Sequence, residues 1–230
     1  MRNSTTFTDG PRTGERATPA AQWHHTIVRF LGETCVPLLR RWILRCILLS
    51  GLVASQTAWA DFRAAEQALA IGQFDRVHAE LAPLVRAGDA RALNLLGVLY
   101  QNGWGLARDP AAAAGFYRRA AEQGLTRAIH NLGRMYRSGL GVPPDAGEAA
   151  RLWKIAGRQG YVTSQAALGA LYHAGDGVPR DMFRAYFWWS LAAWRLDLEA
   201  VRAREDIIYT LTAHEKDVAD RLVREFVPDR

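Results

Sequence analysis

Arg127, His130, Asn131, Arg134 and Arg137 fall at i, i+3, i+4, i+7 and i+10, a spacing that places all five on one face of a single helix. Guanidinium groups in such a row can hold carboxylates through paired, charge-assisted hydrogen bonds. Metal chemistry would need a cluster of ligands. His78, His130, His173 and His214 are scattered, with no i, i+4 pair among them. No G-x-S-x-G elbow, H-E-x-x-H helix or phosphate loop with lysine occurs. Pairs such as Gly103 and Gly105 mimic part of a dinucleotide fingerprint, but no strand pattern precedes them. Acidic pairs such as Asp217 and Asp220 read as a solvated helix face. The expectation is a chain without catalytic residues, cofactor or metal. The basic row is then either a binding surface or an ordinary wet helix face, and the residues alone leave both open.

Aromatic side chains suggest a second chemistry, stacking against a sugar ring. Trp188 stands in a run with Phe183, Tyr186, Phe187 and Trp189. Its neighbour Trp189 recurs at a fixed place in the sequence and reads as core. Trp188 points about 100° away from it, toward the elements that follow. Trp104 lies in a glycine-rich turn, where burial is harder, and is the better stacking candidate.

The elements that carry these residues repeat. Blocks beginning at Asn94, His130 and Ala166 superpose at a spacing of 36 residues. Gly97, Gly133 and Gly169 stand in register, as do Tyr100, Tyr136 and Tyr172, and Asp109, Asp145 and Asp181. A fixed period of this size marks stacked supersecondary units. Within each block, two apolar runs of helical spacing flank a turn. In the second block Leu132, Met135 and Tyr136 form the core stripe of a helix over about 127–137. Gly133 interrupts it, which predicts a neighbour packed too close for a Cβ. Gly103, Gly139 and Gly175 fit left-handed helix C-caps. Asp109, Asp145 and Asp181 fit N-caps of the next helix, with Pro110 in its first turn. That helix carries Tyr117, Trp153 or Trp189, followed by the small pairs Ala120–Ala121, Ala156–Gly157 and Ala192–Ala193.

The pattern A-x-x-x-L-G-x-[LM]-Y-x-x-G-x-G, seen at Ala92–Gly105, Ala128–Gly141 and, with Ser for Ala, Ser164–Gly177, resembles the Sel-one-like repeat, a relative of the tetratricopeptide repeat. Leu106, Gly157 and Leu196 depart from that family's usual residues, the last where the array stops. The resemblance implies an all-α solenoid of antiparallel helix pairs with a closing C-terminal cap. It divides the chain into a degenerate leading pair (61–88), repeats at 89–124, 125–160 and 161–196, and capping helices at 197–230. Leu198, Val201, Ile207, Ile208, Leu211, Val218, Leu222 and Val223 form the apolar stripe of that cap. It also implies a non-enzymatic adaptor, assembly or regulatory protein that binds another protein. In such repeats the first helices line a concave face. Arg91, Asn94, Gln101, Arg127, His130, Asn131, Arg134, Arg137 and His173 are then the expected contacts for an acidic or extended segment. A peptidoglycan or polysaccharide binder using Trp104 or Trp188 is the alternative, and a hydrolase with an unrecognised site is the weakest.

Charge and cysteine placement bear on where the protein works. The full chain is +6, of which residues 1–60 contribute +4 and the rest +2. The high pI therefore comes largely from the leader, and no nucleic-acid partner is expected. Arg40 to Ala60 reads as a secretory signal peptide, with Arg40-Arg41 before an apolar core and Ala58-Trp59-Ala60 at the cleavage site. Cleavage after Ala60 predicts a periplasmic or secreted protein. The alternative is an N-terminal membrane anchor, but the uncharged run Cys46–Ala60 has 15 residues where a span needs about 20. The Arg pair also resembles a twin-arginine signal, though an ordinary basic start suffices. Residues 1–39 read as disordered, or as an extension from a start placed too early. Both cysteines, Cys35 and Cys46, precede Asp61, so the mature chain needs no disulfide.

Overall fold

A computed structural model describes residues 62–229, and all regular structure among them is helical. The N-terminal extension, the signal peptide with its cleavage site, and both cysteines lie outside the described residues. The helices are α1 (62–70), α2 (Phe74–Arg86), α3 (Ala90–Asn102), α4 (Pro110–Glu122) and α5 (Thr126–Ser138). They continue with α6 (Ala146–Arg158), α7 (Val162–Ala174), α8 (Met182–Trp194), α9 (Leu198–Ile207) and α10 (Ala213–Glu225). From α2 to α9 each helix packs on the next, most closely in the pairs α3–α4, α5–α6 and α7–α8, and α10 returns to cover α8. The result is an α-solenoid of helix pairs with a helical cap.

Local signals set each boundary. Asp109, Asp145 and Asp181 accept hydrogen bonds from the backbone N–H of Ala112, Glu148 and Arg184, at 2.9, 2.8 and 2.9 Å. These satisfy donors that the first helical turn leaves free. At the other end of α5, Gly139 adopts φ 67° and its N–H closes on the Met135 carbonyl. Thr212 and Glu215 form a reciprocal capping box that opens α10.

One aromatic per repeat ties the two helices of a pair together. Tyr117, Trp153 and Trp189 are buried against Gly97, Gly133 and Gly169 of the preceding helix. A Cβ at Gly133 would lie 2.5 Å from Trp153 Nε1, so only glycine permits this approach. The indoles then donate to helix carbonyls, Trp153 to His130 O and Trp189 to Ala166 O, both at 3.1 Å. Tyr117 reaches further, and its hydroxyl donates to Gln101 Oε1 at 2.8 Å.

The cap departs from its sequence pattern in two places. Ile207 and Val223 are buried, but Leu198 and Leu222 are exposed. Leu198 is the first residue of α9, where the chain is still leaving the stack. Leu222 lies on the exposed side of α10, the last of the described helices.

Candidate functional site

Two clefts open along α3 and α5, the first helices of the first two repeats, one near each end of the pairs. One, of ≈ 470 Å³, is lined by Gln101, Arg134, Arg137, Ser138 and Asp176 over a floor that includes Met135 and Trp153. The other, of ≈ 560 Å³, is lined by Phe62, Glu66, Arg91, Asn94, Arg127 and Tyr161 among others. The expected contact residues are thus divided. Gln101, Arg134 and Arg137 meet in one cleft, Arg91, Asn94 and Arg127 in the other.

Within the first cleft the two arginines differ. Arg137 Nε pairs with Asp176 Oδ2 at 3.3 Å, an exposed bridge from α5 to the turn after α7. Arg134 is exposed and forms no ion pair among the described residues. Its charge acts inward, where it disfavours protonation of His130. Gln101 is already engaged as acceptor for Tyr117. The cleft therefore offers one unneutralised guanidinium, flanked by Ser138 and by an Arg–Asp pair that a stronger anion could open.

In the second cleft Arg91 is committed to Asp89, at 3.0 Å, and lies 4.7 Å above the ring of Phe62. Burial raises the Asp89 pKa, but Arg91 and the backbone donors of Arg91 and Ala92 outweigh it and leave the carboxyl lowered. Arg127 is exposed at the cleft rim.

Four expected contact residues, and Trp188, sit elsewhere than at a free surface. Asn94 and His130 are only 6% and 5% exposed, because they face the first helix of the next repeat. Half-buried Asn131 donates from Nδ2 to Asn94 Oδ1 at 3.1 Å. His130 Nδ1 shares a hydrogen with Ser164 Oγ at 2.9 Å, and its ring stacks on Trp153 at 5.9 Å. Burial, with Arg134 adding to it, lowers the His130 pKa to about 4, so the ring is neutral near pH 7. His173 is half-buried and tilts onto Trp189 at 5.4 Å. Trp188, 6% exposed, lies edge-on to Phe187 within the core shared with the cap, so no sugar can stack on it. Trp104 is exposed and stacks on Phe74 at 6.1 Å. No group of histidine, cysteine or carboxylate side chains among the described residues could hold a metal. No helix among them is long and apolar enough to cross a membrane.

This geometry of helix pairs, glycine contacts and cap residues has known counterparts. Residues 90–125, 126–161 and 162–193 each match the Sel1 repeat. The chain carries three Sel1 repeats. A Sel1 repeat protein from Oxalobacter formigenes is 26% identical, with a TM-score of 0.59, over 62% of this chain and 59% of that one. The protein c5321, a protective antigen present in uropathogenic Escherichia coli strains and displaying an SLR fold, is 31% identical, with a TM-score of 0.60. That alignment covers 66% of this chain and 34% of c5321. The chain thus spans less than two thirds of either structural relative. No curated protein matches it in sequence. Sel1 repeats are helical-repeat modules of the protein-interaction type, and the first two supply α3 and α5, which line both clefts.

Proposed function

We propose that this Sel1 repeat protein is a non-enzymatic adaptor of the bacterial envelope, holding an acidic, extended segment of a partner protein along α3, α5 and α7. The observation that carries the reading is Arg134, an exposed guanidinium without an ion pair among the described residues, beside Arg137 and Ser138 in a cleft of ≈ 470 Å³. A partner carboxylate would neutralise Arg134 directly and compete with Asp176 for Arg137. Because the helices are already packed, binding needs little rearrangement and costs little ordering entropy in the repeat protein itself. Arg127 at the rim of the other cleft extends the positive track along α5.

Crosslinking capture from an envelope extract tests this, with the tagged chain as bait beside its Arg134→Glu/Arg137→Glu variant. The expected result is a protein held by the wild type and lost by a variant of unchanged melting temperature. Retention by the folded variant would remove the cleft from the mechanism. Arg134→Glu alone is the cleaner arm, since Arg137→Glu also sets two carboxylates against each other at Asp176.

A further inference from the structure

The cap end of the described chain carries a cluster of unsatisfied polar groups. Among the described residues, four buried side-chain polar atoms lack a hydrogen-bond partner: His78 Nε2, Gln165 Oε1, Ser190 Oγ and Arg204 Nε. A buried polar group left unpaired destabilises the fold, so a ligand that satisfies it gains affinity. Three of the four line two adjoining clefts around the C-terminal half of α8. One cleft, ≈ 370 Å³, lies among α8, α9 and α10 and includes Ser190, Trp194, Val201, Arg204, Asp220 and Arg224. The smaller, ≈ 130 Å³, includes Gln165, Leu191, Arg195, Phe226 and Pro228. Trp194, Val223 and Arg224 belong to both.

Three further observations narrow the ligand. The charge around the larger cleft is positive. Asp220 is already taken up by Lys216 at 2.8 Å and by the Tyr186 hydroxyl at 2.9 Å. Arg204 has only a long 3.9 Å contact with adjacent Glu205, and Arg224 makes no ion pair among the described residues. The rim is apolar: Trp194 is 64% exposed, and Leu196 beyond it is 82% exposed. Leu196 also holds φ 65°, at the place where the earlier repeats use Gly124 and Gly160. A leucine there is strained and buries nothing, so its side chain does not serve this fold. Finally, the smaller cleft already accommodates extended chain. The protein's own tail runs through it, with Pro228 against Gly160 and the Asp229 N–H donating to Arg158 O at 2.9 Å.

We propose that the cleft among α8, α9 and α10 binds the C-terminal carboxylate of a partner peptide whose last residue is aliphatic. Arg204 and Arg224 take the carboxylate, Ser190 serves the terminal amide, and Trp194, Val201 and Val223 enclose the side chain. This site is separate from the concave clefts and does not depend on them.

The test uses the full chain and a fluorescein-labelled pentapeptide, Ala-Ala-Ser-Leu-Leu, prepared with a free carboxyl terminus and as its amide. The free acid should bind at least about 10-fold more tightly than the amide, and Arg224→Gln should remove most of that difference. Arg224 is exposed, so this variant folds even if Arg204→Gln does not. Trp194→Ser should weaken both peptides. Arg134→Glu should leave binding unchanged; if it abolishes binding, the peptide occupies the concave cleft and this assignment fails. Equal binding of acid and amide, or no binding at about 1 mM peptide, overturns it. So does decanoate binding as tightly as the peptide, since the cleft would then read an amphiphile and no chain end.

Discussion

The seam between α3 and α5 and the seam between α5 and α7 share one register but bury different chemistry. In the first, Asn94 is bonded to a half-buried asparagine, Asn131, near the cleft that holds Arg91 and Arg127. In the second, the equivalent residue is His130, bonded to fully buried Ser164 and enclosed by Trp153 and Tyr161. A repeat template fixes where a polar group must lie but not how wet it is. The first seam pairs two amides, one of them half-buried, while the second is closed around an imidazole. Breaking the two seams should therefore give unequal losses, and only the second should respond to acid.

The largest effect is expected from Trp153→Ala, which removes the aromatic that fills the gap at Gly133, donates to His130 O and supports the imidazole. A loss of about 4 kcal/mol in chemical denaturation is expected. A loss below about 1 kcal/mol would mean that the seam does not rest on this side chain. Next is pH. His130 has a native pKa lowered to about 4, against 6.5 for an unperturbed imidazole. Between those values the unfolded chain binds a proton that the native state refuses. Stability is thus full above pH 6.5 and falls as the pH drops toward 4, by about 3 kcal/mol at most. His130→Asn, which installs the first seam's own residue, should flatten this part of the curve. Carboxylates titrate at the acid end of the window, so the informative quantity is the difference between the two curves from pH 6.5 to 5. Parallel curves would show that the imidazole is not the acid-sensitive group.

Much of this was legible because the signals are local. Glycine C-caps, aspartate N-caps and the Tyr/Trp core residue each act within one helix pair, and three copies in register identify them. The burial of Asn94 and His130 was not legible in the same way. Their partners, Asn131 and Ser164, lie 37 and 34 residues away, on the first helix of the next repeat. A face that is polar in one helix pair becomes interior when the next pair stacks on it. One clue existed, since Ser164 replaces the alanine found at Ala92 and Ala128, and its hydroxyl needs the partner that His130 supplies. The second turn glycine has a role that a single repeat does not show. Gly141 and Gly177 press on the backbone of Pro110 and Ala146, at the start of the preceding pair's second helix, so these glycines set the stacking between repeats.

The polar bonds themselves give a smaller contrast. Ser164→Ala leaves the His130 Nδ1 side of a buried ring without its partner and should cost about 1–2 kcal/mol. Asn131→Ala exposes Asn94 to a seam that water can enter, and about 0.5–1 kcal/mol is expected. Equal costs would mean that both seams are equally closed, contrary to the burial of Ser164. The smallest effect belongs to the rim of the second seam, where Arg137 and Asp176 bridge the turns at 3.3 Å with both side chains exposed. A double-mutant cycle with Arg137→Ala and Asp176→Ala should give a coupling of about 0.5 kcal/mol or less, falling further as salt screens the pair. A larger, salt-insensitive coupling would mean that Arg137 is held as part of the stack. It would then not be free to turn toward a partner carboxylate, and Arg134 would be left as the cleft's single available cation.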